Sequence, residues 1–153
     1  MKNAPKERWT PRVTVAAIIE KDGRFLVVEE APGQQSVINQ PAGHLEKGES
    51  LLAAVVREVQ EETAWQFEPE AVTGIYRWAH PDKDLTYLRF CFSGKVHSHD
   101  PQQVLDNAII NTHWLSREEL SARPLRSPLV LRCLDDYLAG QRFPLAICHD
   151  IEA

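Results

Sequence analysis

The sequence predicts a single α/β domain in which helices cover both faces of a β-sheet. Two observations support this prediction. Short runs rich in β-branched and aromatic residues alternate with turn residues, which is typical of strands, and two longer segments carry apolar residues at helical spacing. A chain of 153 residues corresponds to about one domain and is long enough to bury a core. Periodicity does not give the order of the strands.

Five segments are predicted strands, and turn or loop residues separate them. Lys21-Asp22-Gly23 is a turn signal between the first two, and a polar loop at residues 80–84 lies between the third and fourth. The predicted strands are residues 13–20, 25–30, 74–78, 86–92 and 109–115. Residues 31–35 are predicted to form a loop, and residues 40–43 lead towards the first helix.

Three helices are predicted from their first residues and their apolar stripes. Ser50 can cap the first helix, because its hydroxyl can accept a hydrogen bond from a free backbone N–H. Ser116 begins the sequence SREE, a capping box that opens a short second helix. Ser127-Pro128 starts the third helix and Gly140 ends it. The stripes comprise Leu51, Leu52, Val55, Val56 and Val59 on the first helix, and Leu129, Val130, Cys133, Leu134, Tyr137 and Leu138 on the third.

Glutamates are concentrated around the first helix. Of the chain's 22 acidic residues, Glu46, Glu49, Glu58, Glu61 and Glu62 fall between residues 43 and 65. The last three have the spacing i, i+3, i+4 and therefore share one face of the helix. A solvated acidic face is one interpretation, and a cation bound among the carboxylates is the other. All-oxygen ligands suit Mg²⁺, Mn²⁺ or Ca²⁺ rather than zinc.

The segment before this helix nearly matches a phosphate-binding loop. Residues 43–50 read GHLEKGES, against the P-loop pattern G-x-x-x-x-G-K-[ST]. Glu49 stands where that pattern requires lysine, and a carboxylate would repel a phosphate. The reversed charge favours phosphate binding through metal ions.

The whole window, GHLEKGESLLAAVVREVQEETAW, resembles the Nudix box, G-x5-E-x7-R-E-U-x-E-E-x-G-U, where U is a bulky apolar residue. Its fixed positions are Gly43, Glu49, Arg57, Glu58, Val59, Glu61, Glu62 and Trp65. The resemblance implies a Nudix hydrolase with an α/β/α sandwich and a mixed sheet. It implies one domain at residues 10–145, with residues 1–9 and 146–153 as terminal extensions.

Ala64 replaces the last glycine of the box. The left-handed backbone conformation, which the last residue of a helix often adopts, costs a residue other than glycine roughly 1–2 kcal/mol. We therefore expect the first helix to continue through Ala64 or to end without a left-handed residue.

The resemblance also implies which residues bind the metal, and it leaves two candidates for the general base that accepts a proton from the attacking water. Glu58, Glu62 and Glu61 are the expected ligands of Mg²⁺, or of Mn²⁺. Two candidates for the general base remain: Glu61 and a carboxylate outside the box such as Asp106. The simpler interpretation of Asp106 is an acidic residue in a surface loop without a catalytic role.

Arg57 is expected to orient Glu49 or Glu61 through a bidentate pair. Gly43 has no Cβ, so its backbone can approach the metal or the substrate closely. Outside the box, Arg126 precedes a helix N-terminus, which is a natural phosphate site; a solvated arginine is the alternative. Trp78 lies on a predicted strand and can stack on a base, as can Tyr76 and Tyr87, although such aromatics more often belong to the core.

Further blocks resemble the NudJ-type phosphatase subfamily of Nudix hydrolases. They are VTVAAIIEKDGRFLVVEE, NQPAGHLE, PDKDLTYLRF, LRSPLV and AGQRFPL, spread over most of residues 12–145. This resemblance implies hydrolysis of nucleoside di- and triphosphates or of pyrimidine diphosphates, with release of orthophosphate. The alternatives are an ADP-ribose or other nucleoside-diphosphate-X pyrophosphatase, a catalytically silent Nudix ligand-binding module, and a structural calcium-binding domain.

Composition narrows the expected partners and location. The net charge is −5 and no basic run exists, so a nucleic-acid polymer is not expected as a partner. The N-terminus lacks the apolar segment of a signal peptide, and no stretch of about 20 apolar residues could span a membrane. The three cysteines are odd in number and far apart, which predicts reduced thiols and a cytoplasmic protein. A monomer or dimer is expected.

Overall fold

The computed structural model describes residues 4–152. Its elements follow the chain in an order typical of an α/β domain. They are β1 (Arg12–Lys21), β2 (Arg24–Glu30), β3 (Val37–Asn39), β4 (Ala42–His44), α1 (Leu51–Thr63), β5 (Gln66–Ala79), β6 (Thr86–His97), β7 (Ile109–Leu115), α2 (Arg117–Ser121), α3 (Leu129–Leu138) and a 3-10 turn at Leu145–Ile147. Within the described residues, no helix has the length and apolar character needed to cross a bilayer.

The sheet is mixed, and β1 is shared by two groups of strands. The main strand order is β3-β2-β1-β6-β5, with β4 also paired to β1 and β7 paired to β2. β1 runs parallel to β6 along residues 12–19 and antiparallel to β4 along residues 14–16. At its other end β1 pairs with β2, at Glu20 and Lys21. β4 and β2 therefore meet different parts of the same strand.

Helices cover both faces of the sheet, as predicted. Val55 and Val59 of α1 pack with Val15 and Ala17 of β1 in one core cluster. On the other face, Leu120 of α2 joins Cys133 and Leu134 of α3 and the side chains of Ala16 and Ile18 in a second cluster. Because consecutive side chains of a strand point to opposite faces, β1 contributes to both clusters in alternation. The structure thus confirms the predicted α/β/α sandwich.

The predicted elements are present, and two short strands are additional. β3 and β4 have three residues each, too few for a period of two to be visible in the sequence. β5 and β6 extend well beyond the predicted segments, because they pair with each other over almost their whole length. The predicted caps are formed: Ser50 Oγ accepts from Ala53 N at 3.0 Å, and Ser116 Oγ accepts from Glu119 N at 3.1 Å.

The prediction for Ala64 is wrong. Helix α1 ends with Ala64 in the left-handed region, at φ 63° and ψ 16°, and its N–H donates to Gln60 O. Ala64 is only 3% exposed, and its carbonyl accepts from Asp100 N at 3.0 Å. Burial and this long-range hydrogen bond offset a conformation that the local sequence disfavours.

The loop between β6 and β7 completes the C-terminal end of α1. The last carbonyls of a helix have no partner within the helix. Here the backbone N–H of Asp100 donates to Ala64 O, and that of Asp106 donates to Glu61 O at 2.9 Å. Gln103 Nε2 donates to Gln60 O at 2.6 Å, a carbonyl that also accepts from Ala64 N. These three hydrogen bonds hold Asp106 beside the glutamates of α1.

Candidate active site

One cavity of about 640 Å³ collects most of the predicted site residues. It extends from the glutamate face of α1 past β4 to the start of α3. The predicted residues that line it are Gly43, Arg57, Glu58, Glu61, Glu62, Trp78, Asp106 and Arg126. Glu49 does not line the cavity but lies directly behind it, bonded to Arg57.

Arg57 holds three glutamates with one guanidinium group. Its Nε and Nη2 donate to the two oxygens of Glu49 at 2.9 and 2.7 Å. Its Nη1 donates to Glu58 at 2.8 Å and to Glu61 at 3.2 Å. The bidentate partner is thus Glu49, and Glu61 accepts a single bond. These hydrogen bonds raise the pKa of Arg57 and lower the pKa of Glu49.

Glu49 also shapes the turn before the helix, since its Oε1 accepts from Glu46 N at 2.8 Å. Arg57 Nη2 donates to the carbonyl of His44, the last residue of β4, at 3.1 Å. The arginine therefore ties the glutamate face of α1 to the strand and turn that precede it.

Two of the glutamates are buried against β4. Glu58 is 8% exposed and Glu62 is 5% exposed. Glu62 Oε1 accepts from Ala42 N at 2.8 Å. A Cβ on Gly43 would overlap the carboxyl group of Glu58, so glycine at this position is what lets that carboxylate lie against the strand.

Burial makes these carboxylates costly to ionise in the absence of a cation. It raises the pKa of Glu62 to about 9, with the nearby charges of Glu58, Glu30 and Asp106 acting in the same direction. Burial also raises the pKa of Glu58, against the opposing effect of Arg57. A divalent cation would offset this cost, and the donor atoms are carboxylate oxygens, which suit Mg²⁺ and Mn²⁺.

The side chains are not pre-arranged around an ion position. Among residues 4–152, no three His, Cys, Asp or Glu side chains form a group that could hold a metal as they stand. Arg57 draws Glu58 and Glu61 to one side, while Glu62 is held by β4. The chemistry of the donors fits a divalent ion, and binding one requires these side chains to draw together.

The rest of the cavity carries aromatic and cationic groups. Trp78 and Tyr87 face each other across β5 and β6 and stack, with ring centroids 5.7 Å apart and an interplanar angle of 19°. Both line the cavity. Tyr76 is not among the lining residues, and its hydroxyl donates to Asp136 at 2.8 Å. Arg126 lines the cavity and pairs with Glu30 at 3.0 Å.

Four lining or adjoining residues did not emerge from the sequence: Glu30, Asn39, Gln40 and Arg89. Arg89 is 5% exposed; its Nη1 donates to Gln40 at 2.8 Å and its Nη2 to Asn39 at 3.3 Å. A signal for Arg89 did exist. It alternates with Tyr87 and Cys91 on β6 and so shares their face, and an arginine between such residues points inwards.

Comparisons with known proteins agree with this geometry. The chain matches the NUDIX domain over residues 9–133. It is 43% identical over 143 residues to phosphatase NudJ of Escherichia coli K12, a similarity that covers 93% of each chain.

Solved structures give the same result. A NUDIX hydrolase from Nitrosomonas europaea superposes with a TM-score of 0.91 at 50% identity, over 93% of this chain and 98% of that one. The NUDIX domain of Shewanella oneidensis NrtR, solved with ADP ribose, superposes with a TM-score of 0.73 at 17% identity, over 90% and 93% of the two chains. At that identity the likeness concerns the fold alone.

Proposed function

Because the chain belongs to the Nudix hydrolase family, we propose that it hydrolyses phosphoanhydride bonds in nucleoside di- and triphosphates or related small diphosphates, including pyrimidine diphosphates, and releases orthophosphate. Nudix enzymes act on small nucleotide substrates and generally use divalent metal ions. The similarity to phosphatase NudJ supports the release of orthophosphate. We further propose that residues 10–145 form the catalytic domain and that the protein works in the cytoplasm.

The arrangement of Arg57 and the glutamates is the observation that carries this proposal. A merely solvated acidic face would leave its carboxylates in water, whereas Glu58 and Glu62 are almost fully buried. Burying carboxylates without a balancing charge is unfavourable. Arg57 pairs with Glu58 but also with Glu49 and Glu61, and among residues 4–152 no cationic side chain pairs with Glu62. This edge of the cavity is therefore suited to a further cation.

Glu58, Glu61 and Glu62 would hold Mg²⁺, with Mn²⁺ as the alternative ion. When bound, the ion would supply positive charge that offsets the negative oxygens of the diphosphate during attack by water. Arg57 keeps Glu58 and Glu61 in place, and Glu49 keeps Arg57 in place through the bidentate pair. Binding the ion would draw Glu58 and Glu61 from this position towards Glu62, while the Arg57–Glu49 pair would keep the guanidinium beside them.

Two carboxylates are candidates for the general base. Glu61 is the more exposed of the glutamates held by Arg57 and reaches the cavity. Asp106 also lines the cavity, on a loop bonded to the backbone of Glu61. Either could accept the proton of the attacking water. Comparing Glu61→Gln with Asp106→Asn decides between them, because loss of the base lowers kcat most and shifts the pH profile.

The remaining predicted residues are proposed to bind the substrate. The Trp78 ring, stacked on Tyr87, offers an aromatic surface for a nucleobase or pyrimidine ring. Gly43 lets β4 lie close to the reacting groups. Arg126, just before α3, is proposed to contact the distal phosphate.

Hydrolysis in ¹⁸O-labelled water tests the reaction. We expect a nucleoside triphosphate to lose orthophosphate one unit at a time, with labelled orthophosphate and transient diphosphate detected by mass spectrometry. Release of stoichiometric pyrophosphate from a triphosphate would overturn attack at the terminal phosphorus. It would show that the enzyme cleaves the phosphoanhydride bond nearer the nucleoside. Release of no phosphate from any member of a nucleotide and pyrimidine diphosphate panel, with Mg²⁺ or Mn²⁺ present, would favour a silent ligand-binding module. Full activity in excess EDTA would overturn the metal assignment.

ADP ribose is the second substrate to include in the panel, because the NrtR domain with the same fold was solved with that ligand. Formation of AMP and ribose phosphate at a higher kcat/KM than for any other member of the panel would replace the phosphatase assignment with a pyrophosphatase assignment.

A further inference from the structure

Arg89 is a buried cation with no opposite charge beside it. The side chain extends from β6 and is 5% exposed. Its hydrogen bonds go to the neutral amide oxygens of Gln40 and Asn39, and Nη1 lies 4.0 Å from the Cys133 sulfur. Its Nε–H is buried and has no acceptor. Within residues 4–152, no carboxylate forms an ion pair with it.

The other two arginines of the cavity are paired with carboxylates. Arg57 is surrounded by glutamates, and Arg126 pairs with Glu30 at 3.0 Å. Arg89 alone among the three keeps an uncompensated charge, at the most buried of their positions. An unpaired charge is expensive to bury, so a protein that retains one at the wall of a cavity is suited to an anionic ligand.

Arg89 belongs to a different wall of the cavity from the glutamates. It shares its face of β6 with Tyr87 and Cys91, and Cys91 packs in the core cluster beneath α3. The glutamates project from α1, which covers the opposite face of the sheet. An anion at Arg89 therefore contacts protein through a group that is independent of the carboxylates and of any ion they hold.

We infer that Arg89 binds a phosphate group of the substrate, in a subsite on the α3 side of the cavity that needs no metal. A guanidinium is a planar fork of donors that matches two phosphate oxygens. Asn39 and Gln40 accept from its two Nη atoms and so hold the plane of the fork. Identifying the anion as the substrate's own phosphate rests on the proposed function. The subsite itself is defined by the buried guanidinium.

Binding of inorganic anions without metal tests this inference. In excess EDTA, orthophosphate and pyrophosphate should raise the melting temperature of the wild-type protein, because a ligand that binds the folded state stabilises it. Arg89→Met should weaken the affinity for phosphate at least tenfold by calorimetry. Arg132→Met is the matched control: Arg132 pairs with Asp136 on α3 and does not line the cavity, so this variant should bind phosphate like the wild type.

Arg89→Met also leaves the side-chain oxygens of Gln40 and Asn39 without their donor, which destabilises the fold. A second measurement therefore uses the wild-type protein. The ¹⁵N-edited spectrum of arginine Nε–H groups should show one signal that shifts on addition of phosphate in EDTA. Arg89→Lys should lack that signal.

Besides an unchanged phosphate affinity in Arg89→Met, two results would overturn the inference. The first is an absence of any phosphate effect on wild-type melting and on the Nε–H signals. The second is a shift caused equally by a nucleoside without phosphate, which would show that Arg89 contacts the ring instead. Neither measurement needs turnover, so phosphate binding at Arg89 can be tested even if the hydrolysis assay fails. Likewise, a failure to bind phosphate in EDTA would leave the proposed hydrolysis untouched.

Discussion

Replacing Gly43 with alanine is a direct test of how the buried carboxylates are accommodated. The added Cβ would overlap the carboxyl group of Glu58, whose three terminal atoms are its nearest neighbours. Gly43 does not have a positive φ, so alanine can adopt the same backbone conformation. The substitution thus perturbs Glu58 rather than the chain. Glu58 must rotate away from β4 and give up its 2.8 Å hydrogen bond to Arg57.

The cost follows from that displacement. Forcing an extra methyl group into a packed site costs about 1–3 kcal/mol, and a hydrogen bond to a charged group contributes about 1.5–3 kcal/mol. Because Glu58 regains contact with water when it moves, we take about 2 kcal/mol as the net loss in the free energy of unfolding. For a chain of this size that corresponds to a fall of roughly 4–8 °C in Tm.

A double-mutant cycle with Glu58→Ala isolates the cause. Once the carboxyl group is gone, Gly43→Ala should become neutral or stabilise by about 0.4–1 kcal/mol, because alanine restricts the unfolded chain. The expected coupling is about 2–3 kcal/mol, measured by urea unfolding. Gly33→Ala is the control, since a Cβ added at Gly33 would meet no atom within 4 Å beyond its chain neighbours; it should change stability by less than about 0.5 kcal/mol.

An equal cost of Gly43→Ala in both backgrounds would refute this reasoning. The glycine would then serve another purpose, such as the close approach of backbone and substrate that the sequence suggests.

Four further predictions concern a metal ligand, the pH dependence, metal binding and the helix end. Glu62→Gln should abolish most activity and leave the fold intact, because it removes a proposed ligand charge and keeps the side-chain volume. The pKa of Glu62 is raised from 4.5 to about 9, so in EDTA the folded state holds a proton that the unfolded state has lost. The free energy of unfolding of the wild type should therefore fall as pH rises between those values. A plot of Tm against pH should be flatter for Glu62→Gln than for the wild type. Parallel plots for the two proteins would contradict the raised pKa of Glu62. Mg²⁺ at 100 times its Kd should stabilise the wild type by about 2.7 kcal/mol, and an unchanged Tm would argue against the site. Ala64→Gly should change the free energy of unfolding by less than about 1 kcal/mol. Relief of the left-handed conformation gains about 1–2 kcal/mol, while loss of the buried methyl costs about 0.8 kcal/mol and the freedom of glycine in the unfolded chain costs about 0.4–1 kcal/mol. Activity should survive, and a larger loss of stability would show that packing of the methyl dominates.

The elements that the sequence predicts well are those whose signals are local. The caps at Ser50 and Ser116 depend on residues three positions away, and the stripe of α1 is a periodic pattern. The glutamate face follows from helical spacing once the helix is known. The gathering of Arg57 with its glutamates likewise involves residues at most 13 positions apart.

The features that the sequence does not reveal depend on distant contacts. Ala64 adopts a disfavoured conformation because a loop more than 30 residues later bonds its carbonyl. Arg89 is held by residues about 50 positions earlier, and Arg126 pairs with a glutamate 96 positions away. In each case the fold determines the partner. Alternation on β6 can place Arg89 on an inward face, but no pattern in neighbouring residues predicts which groups it contacts.

The loop between β6 and β7 has a consequence for how this enzyme can change over evolution. Its hydrogen bonds to Gln60, Glu61 and Ala64 fix the position of Asp106 relative to the glutamates of α1. Inserting or deleting one residue between Asp100 and Asp106 would move the latter by about 3.8 Å, one Cα step, or break the helix end. Sequence within the loop can vary freely at exposed positions such as Val104, but its length is coupled to the helix.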